Sequence, residues 1–393
     1  MVHQELGYVG YFDRESCDLD EFKVLTSQNL TADAVPHTAS VEKNVPVYDM
    51  HALRPALERA DERRSLLAEW ARVLDKSAGV VVLKGAFADT SVIDRATDVF
   101  QQIIEEERQC AGGEGDHFAA SGANDRIWNA LQKQCFRDPE GFALYFGNVA
   151  IAAACEAWLG PNYQVTAQVN QVRPGGKAQQ AHRDYHLGFQ TAESAARYPA
   201  HAHLVTASLT LQGAVAHCDM PVESGPTKLL PFSQLYPPGY LAFHDAAHRA
   251  YFEENYIQLP LEKGDAVFFN PALFHAAGEN SSADIQRMAN LLQISSPFGR
   301  AMEMIDRHAM SLAVFSSLAA LKQRGELGTA ELDAAIAATA EGYPFPTNLD
   351  TDPPVGGNAP DSQADILHQA VSDGWTKAQL SDALSALQSR HAA

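Results

Sequence analysis

The sequence predicts a mainly β core with helical annexes: an antiparallel sandwich or jelly roll, with helices packed around it from both ends. Three observations predict it. Between residues 162 and 297 the chain runs through short apolar or alternating stretches separated by turn-rich segments such as PGGK, ESGPT and ENSSAD. No helical pattern alternates with those stretches, which argues against a parallel sheet. On either side of them the apolar residues recur at helical spacing instead.

Each element follows in order. Residues 1–54 show no periodicity and carry Pro36 and Pro46, which predicts an irregular N-terminal segment draped over the core. Residues 54–76 place Leu57, Ala60, Leu67, Trp70 and Leu74 on one helical face. The β-branched run from Gly79 to Lys84 predicts a buried strand. A second helix is expected over 91–107, a glycine-rich loop over 112–124, and a further helix from Asp138 to about Leu159, ended by Gly160-Pro161. Strands are expected over 163–173, 204–213, 265–269 and 287–295. After Pro297 the pattern turns helical again, over 299–324 and 329–341. A Pro/Gly/Asp-rich linker, 342–362, then leads to two short amphipathic helices in 363–390. One catalytic domain, 55–300, is therefore expected, with 301–393 as a C-terminal helical extension.

Composition narrows the function classes. The chain has 393 residues, 46% hydrophobic and 20% charged, enough for a sizeable core. Its net charge of −20 repels phosphate backbones, so nucleic acid is not an expected partner. No stretch approaches the roughly 20 apolar residues that a membrane helix requires, and the acidic N-terminus has no basic-then-apolar leader pattern. A cytoplasmic location and no membrane partner are expected. The 5 cysteines are widely separated, without a C-x-x-C pair, which argues against a disulfide scaffold or zinc knuckle. The acidic amphipathic tail could serve a homodimer.

The chemistry-bearing residues are histidines and acids. Among 15 histidines, two fall in a His-x-Asp triplet, His182-Arg-Asp184 and His217-Cys-Asp219. On a strand, residues i and i+2 share a face, so an imidazole and a carboxylate can converge on one ion. Two histidines and one carboxylate on one face of an octahedron leave three positions open, which suits Fe(II) enzymes that bind a chelating cosubstrate and then dioxygen. His275 is a candidate third ligand. If 272–276 and 286–294 are adjacent strands, Arg287 returns near it and offers a two-donor fork to a carboxylate. Taken singly, His275 reads more readily as a satisfied core histidine and Arg287 as a surface charge; the ordered set is what points to a site. His201 and His203 form a cupin-style pair, but no glutamate and third histidine follow at suitable places.

The segments VNQVRPGGKAQQAHRDYH (169–186), VESGPTKLLPFSQ (222–234) and GDAVFFNPALFHAAGENSSADIQR (264–287), with GVVVLKGAF (79–87), resemble the phytanoyl-CoA dioxygenase family of Fe(II)/2-oxoglutarate oxygenases, in the family's order. The resemblance implies a double-stranded β-helix, iron on His182, Asp184 and His275, and Arg287 as the anchor of 2-oxoglutarate. It also selects His182/Asp184 over His217/Asp219. Where the family frequently has a serine two residues after the distal histidine, this chain has Ala277; where the central turn usually ends Gly-Ser-His, it reads Phe232-Ser233-Gln234. Asn170 and Trp128 are candidates for the secondary cosubstrate contacts. Halogenating relatives replace the carboxylate by glycine or alanine; Asp184 is retained. Tyr185, His186 and Phe189 are candidates for a substrate mouth. The implied activity oxidises a small-molecule metabolite with O2 and 2-oxoglutarate, releasing succinate and CO2. Two alternatives stand beside it: a non-catalytic jelly-roll that binds a ligand or partner, and a cupin-like metalloenzyme independent of 2-oxoglutarate.

Overall fold

The computed structural model describes residues 10–111, 124–344, 348–356 and 358–392. Among these residues ten strands run β1 (Ser40–Glu42), β2 (Val45–Asp49), β3 (Val80–Lys84), β4 (Asn124–Ile127), β5 (Gln164–Val172), β6 (Thr210–Ala216), β7 (Lys228–Leu230), β8 (Ala266–Phe269), β9 (Phe274–Ala276) and β10 (Arg287–Ser295). Eight form one mixed sheet in the order β1-β2-β3-β8-β6-β10-β5-β4, antiparallel except for the β2/β3 pair. The other two, β7 and β9, pair antiparallel in a small second sheet. The segment around His182 bridges to His275 beside it, which widens this small sheet on the side of the site.

The strands explain their own placement. β10 alternates: Met288, Asn290, Leu292 and Ile294 are fully buried on one face, while Ala289, Leu291 and Gln293 on the other are only partly covered. Its neighbours pack on helices, β5 on Ala130–Arg137 and Thr329–Thr339 and β6 on Val149–Leu159. The opposite face lines a cavity between the two sheets. Registers across the main sheet line up its inner face in rows. Val82, Val267, Ala214, Leu291 and Gln168 make one row, and Phe269, Gln212, Gln293 and Thr166 the next.

The helices after β10 are not a separate body. Arg307–Arg324 and Thr329–Thr339 pack on Pro139–Phe146, and Gln363–Asp373 and Lys377–His391 pack on Arg307–Arg324. Leu318, Leu367 and Leu384 join the same apolar cluster as Trp70, Val81 and Phe268. Among the described residues no single helix is long and apolar enough to cross a membrane.

Several expectations need correction. The N-terminal segment is not irregular throughout: Leu19–Thr26 is a helix and β1 and β2 extend the main sheet, because Val45, Val47 and Tyr48 bury both faces beside β3. The strand expected over 204–213 is a helix, Ala200–Ser208, followed by β6. The helix expected over 138–159 is two, because a Cβ at Gly147 would stand 2.7 Å from the Ala143 carbonyl oxygen and Asn148 caps the second helix through Ala150 and Ile151. The helix expected over 54–76 breaks at Arg59, and the one expected over 299–324 starts at Arg307. Finally, β9 and β10 are not neighbours: β9 pairs with β7 in the small sheet, while β10 sits in the main sheet between β6 and β5. Of the loop expected over 112–124, only Asn124 lies within the described residues, and it opens β4.

Candidate metal centre and cavity

His182, Asp184 and His275 come together with their ligand atoms all within 4.8 Å of one another. The backbone brings them there. Residues 179–184 run antiparallel to 271–277, with His182 N–H on the His275 carbonyl (3.0 Å), His275 N–H on the His182 carbonyl (3.2 Å) and Asp184 N–H on the Pro271 carbonyl (3.0 Å). His182 and Asp184 thus behave as i and i+2 of a short irregular strand, although no regular strand is formed there.

Each imidazole is oriented by its far nitrogen. His182 Nδ1 lies 2.8 Å from the Gln180 carbonyl oxygen and His275 Nδ1 2.8 Å from that of Leu273. A proton on Nδ1 leaves both Nε2 atoms as lone-pair donors, the arrangement a metal-bound histidine needs. Both face one oxygen: Asp184 Oδ2 is 3.5 Å from His275 Nε2 and 3.9 Å from His182 Nε2. His275 Nε2 is buried and has no hydrogen-bond partner among the described residues. An orphaned buried nitrogen is expensive in an empty protein and natural in a metal site. Burial alone would raise the Asp184 pKa; the two histidines and the Gln212 amide outweigh it and hold the carboxyl at about 2. Burial and then His275 hold the His182 pKa below the usual imidazole value, so that it stays neutral.

The three residues open onto a cavity of about 610 Å³ between the sheets. Arg287 lines it from the start of β10, 7% exposed. Its Nη1 donates to the carbonyls of Ser224 (3.2 Å) and Gly278 (3.4 Å). Two glycines make that cradle. A Cβ on Gly278 would stand 2.6 Å from the Pro226 carbonyl oxygen, and Gly225, at φ +77°, touches the backbone at Glu279, so the ESGPT and HAAGEN turns can close on each other. Among the described residues Arg287 has no carboxylate partner; burial lowers its pKa to about 10, still well above neutrality. A buried guanidinium held only by carbonyls invites an anion.

The remaining candidates divide. Asn170, Trp128, Tyr185 and Phe189 line the cavity, Phe189 at its exposed rim. Arg126 stacks over the Trp128 ring at 5.1 Å. Ala277 lines the cavity two residues beyond His275, the place where a serine is frequent in the family. His186 does not belong to the lining: its Nδ1 is 2.8 Å from Thr206 Oγ1, because the chain turns away after Tyr185. His217 sits on the opposite face of the sheet between Thr97 and Tyr145, at 2.8 and 2.9 Å. Asp219 accepts instead from the Lys263 N–H. His203 is on a helix, on the Ala195 carbonyl. Gln234 reaches the Ser77 carbonyl and not the cavity.

Sequence reasoning missed Gln212, whose amide donates to Asp184 Oδ2 at 2.6 Å, and its neighbours Gln168 and Gln293. Alternation marks each as one side of a strand, but only the register shows that this side faces the ligands. Arg183, the residue between the two ligands, was also passed over. It is 2% exposed, donates to the carbonyls of Ser233 (2.6 Å) and Tyr236 (3.0 Å), and lies over the rings of Tyr240 and Phe274.

Two histidines and a carboxylate, beside an open cavity between a large and a small sheet, define a metalloenzyme site of the two-histidine, one-carboxylate kind. The chain belongs to the phytanoyl-CoA dioxygenase (PhyH) family, whose pattern it matches over residues 76–289. It is 30% identical over 139 residues to "Dioxygenase trt7" of Aspergillus terreus (35% of this chain, 43% of that protein). It is 28% identical over 142 residues to "Dioxygenase andF" of Emericella variicolor (34% and 43%). The chain thus spans less than half the length of these two relatives. Among solved structures it resembles the non-heme alpha ketoglutarate dependent epimerase SnoN (22% identity, 60% of this chain, 84% of that one, TM-score 0.43). SnoN has also been solved with Fe3+, alpha ketoglutarate and nogalamycin RO (19%, 60% and 85%, TM-score 0.41). The carbocyclase SnoK is similar at 21% identity, 62% of this chain and 89% of that one, TM-score 0.43.

Proposed function

We propose that this chain is an Fe(II)- and 2-oxoglutarate-dependent dioxygenase that oxidises a C–H bond of a small-molecule metabolite, with hydroxylation as the first expected outcome. The observation that carries the reading is the convergence of His182 Nε2, Asp184 Oδ2 and His275 Nε2, with both far nitrogens on backbone carbonyls. These three residues would hold the iron. A ferrous ion there supplies the dioxygen chemistry that couples decarboxylation of 2-oxoglutarate, to succinate and CO2, with oxidation of the substrate. The protein's own part is binding, orientation and dryness. Arg287, buried without an acidic partner among the described residues, would pair with the far carboxylate of the keto acid, and Asn170 and Trp128 flank the same space. Val82, Leu261, Val267 and Leu291 keep the cavity apolar around the reacting bond. The lopsided pair of sheets supports a double-stranded β-helix.

Succinate release from 2-oxoglutarate on addition of Fe(II) tests the activity, and its absence would favour a non-catalytic binding protein. Calorimetric binding of 2-oxoglutarate to the Mn(II)-loaded chain separates the reading from a cupin-like enzyme that needs no keto acid.

A further inference from the structure

A row of carboxamides borders the metal ligands on the inner face of the main sheet. Gln212 and Gln293 stand opposite each other on β6 and β10. Gln168 Nε2 donates to Gln293 Oε1 at 3.1 Å, and Arg126 Nη1 donates to Gln168 Oε1 at 3.1 Å. That part of the row is internally paired. The end nearest the metal ligands is not. Gln212 spends one amide proton on Asp184 Oδ2 (2.6 Å), and its Oε1, buried, has no hydrogen-bond partner among the described residues. Tyr185, the residue after the ligand Asp184, is 1% exposed and its hydroxyl is likewise without a partner among them. Gln212 and Gln293 flank that hydroxyl, yet neither meets it in hydrogen-bonding geometry. A buried acceptor and a buried hydroxyl left unpaired side by side are costly unless a bound group pairs with both.

The rest of the wall limits what that group belongs to. Val82, Ala214, Leu261, Val267, Ala289 and Leu291 are apolar, and among the described residues no lysine lines the cavity. Its guanidinium groups are already engaged: Arg126 holds Gln168, Arg183 holds the Ser233 and Tyr236 carbonyls, and Arg287 serves the keto acid. A neutral substrate leaves those bonds intact, whereas a substrate phosphate or carboxylate would have to displace one of them. A carbonyl could accept from Tyr185 but would leave Gln212 Oε1 unpaired. A hydroxyl both donates and accepts.

We propose that the substrate is a neutral, mainly apolar molecule carrying a hydroxyl close to the carbon that is oxidised, and that this hydroxyl donates to Gln212 Oε1 and accepts from the Tyr185 hydroxyl. The inference rests on the oxygenase reading above and names the substrate class of that same site. Docked on the Gln212 amide, the hydroxyl is one side chain from Asp184 and holds the adjoining C–H bond beside the metal.

The test is a ligand-observed NMR titration of the full chain loaded with Mn(II) and 2-oxoglutarate. The probes are 1-adamantanol, 2-adamantanone, 1-adamantanecarboxylate and octanoyl-CoA. The alcohol is expected to bind about fivefold more tightly than the ketone, the worth of one net hydrogen bond, and about tenfold more tightly than the carboxylate. In Tyr185→Phe both the alcohol and the ketone should bind about fivefold more weakly, since each accepts from that hydroxyl, while the alcohol keeps its lead through Gln212 Oε1 and 2-oxoglutarate affinity changes less than about twofold. Equal or tighter binding of the ketone, the carboxylate or octanoyl-CoA, no binding of the alcohol, or an unchanged affinity for the alcohol in Tyr185→Phe overturns the proposal. Failure of 2-oxoglutarate itself to bind is a separate result, and it removes the oxygenase reading rather than the substrate class alone.

Discussion

The proposed metal centre is built by withholding partners. The far nitrogens of His182 and His275 are satisfied by carbonyls, while Nε2 of His275 is left buried and bare. Asp184→Asn removes the charge but not the shape, so Co(II) affinity, followed by its visible spectrum, should fall at least about tenfold. Arg287→Ala should weaken 2-oxoglutarate binding by about 2–5 kcal/mol, roughly thirtyfold or more, in calorimetry of the Mn(II) form. His217 shows how differently the other His-x-Asp behaves. Burial drives its pKa down to about 3, with the charge of Asp94 opposing only weakly, and Thr97 and Tyr145 hold it neutral. The unfolded chain therefore takes up its proton first. Stability from this group is present above the ordinary imidazole pKa and is lost as pH falls from about 6.5 toward 3, by up to about 1.4 kcal/mol per pH unit. Denaturant midpoints at pH 7 and pH 5 should differ less in His217→Gln than in the parent; an equal difference would remove His217 from the account.

At the scale of elements, what could be read from the sequence was what depends on neighbours along the chain. Alternation located β5 and β10, and a short apolar run β8, almost residue for residue, since both patterns, with glycine and proline at the ends, are local signals. The convergence of His182, Asp184 and His275 was legible for the same reason, as two residues at i and i+2 with a distant histidine. Pairing was not legible. Leu229 lies opposite His275 and Arg287 opposite Val172, so the distal histidine and the arginine approach the cavity from different sheets. Period 2 says which residues share a face and nothing about which strand lies alongside. The same gap hid Gln212. The 200–208 helix was missed because Leu204, Val205 and Thr206 favour strands locally, and tertiary packing after Pro199 decided otherwise. The turns carry their own prediction. Gly225→Ala, at φ +77° and against the Glu279 backbone, should cost more than about 1 kcal/mol of stability and also weaken 2-oxoglutarate binding, because the Ser224 carbonyl is held there for Arg287. A calorimetric 2-oxoglutarate affinity equal to that of the parent would separate the turn from the cradle.

At the scale of the molecule, the C-terminal helices share one apolar cluster with the sheet that carries the site. Leu384, fully buried on the last helix, is therefore expected to matter to the whole. Leu384→Ala should lower stability by about 2–5 kcal/mol in one cooperative transition seen alike by far-UV dichroism and by 2-oxoglutarate binding. Two separated transitions would mean that the tail folds alone. The central claim is that three side chains from two distant segments hold one ion. Anomalous diffraction from crystals of the full chain grown with Mn(II), measured above the manganese edge, tests it most directly. One peak bonded to His182 Nε2, Asp184 and His275 Nε2 is expected. A cavity without that peak, or a peak at His217 in its place, would contradict it.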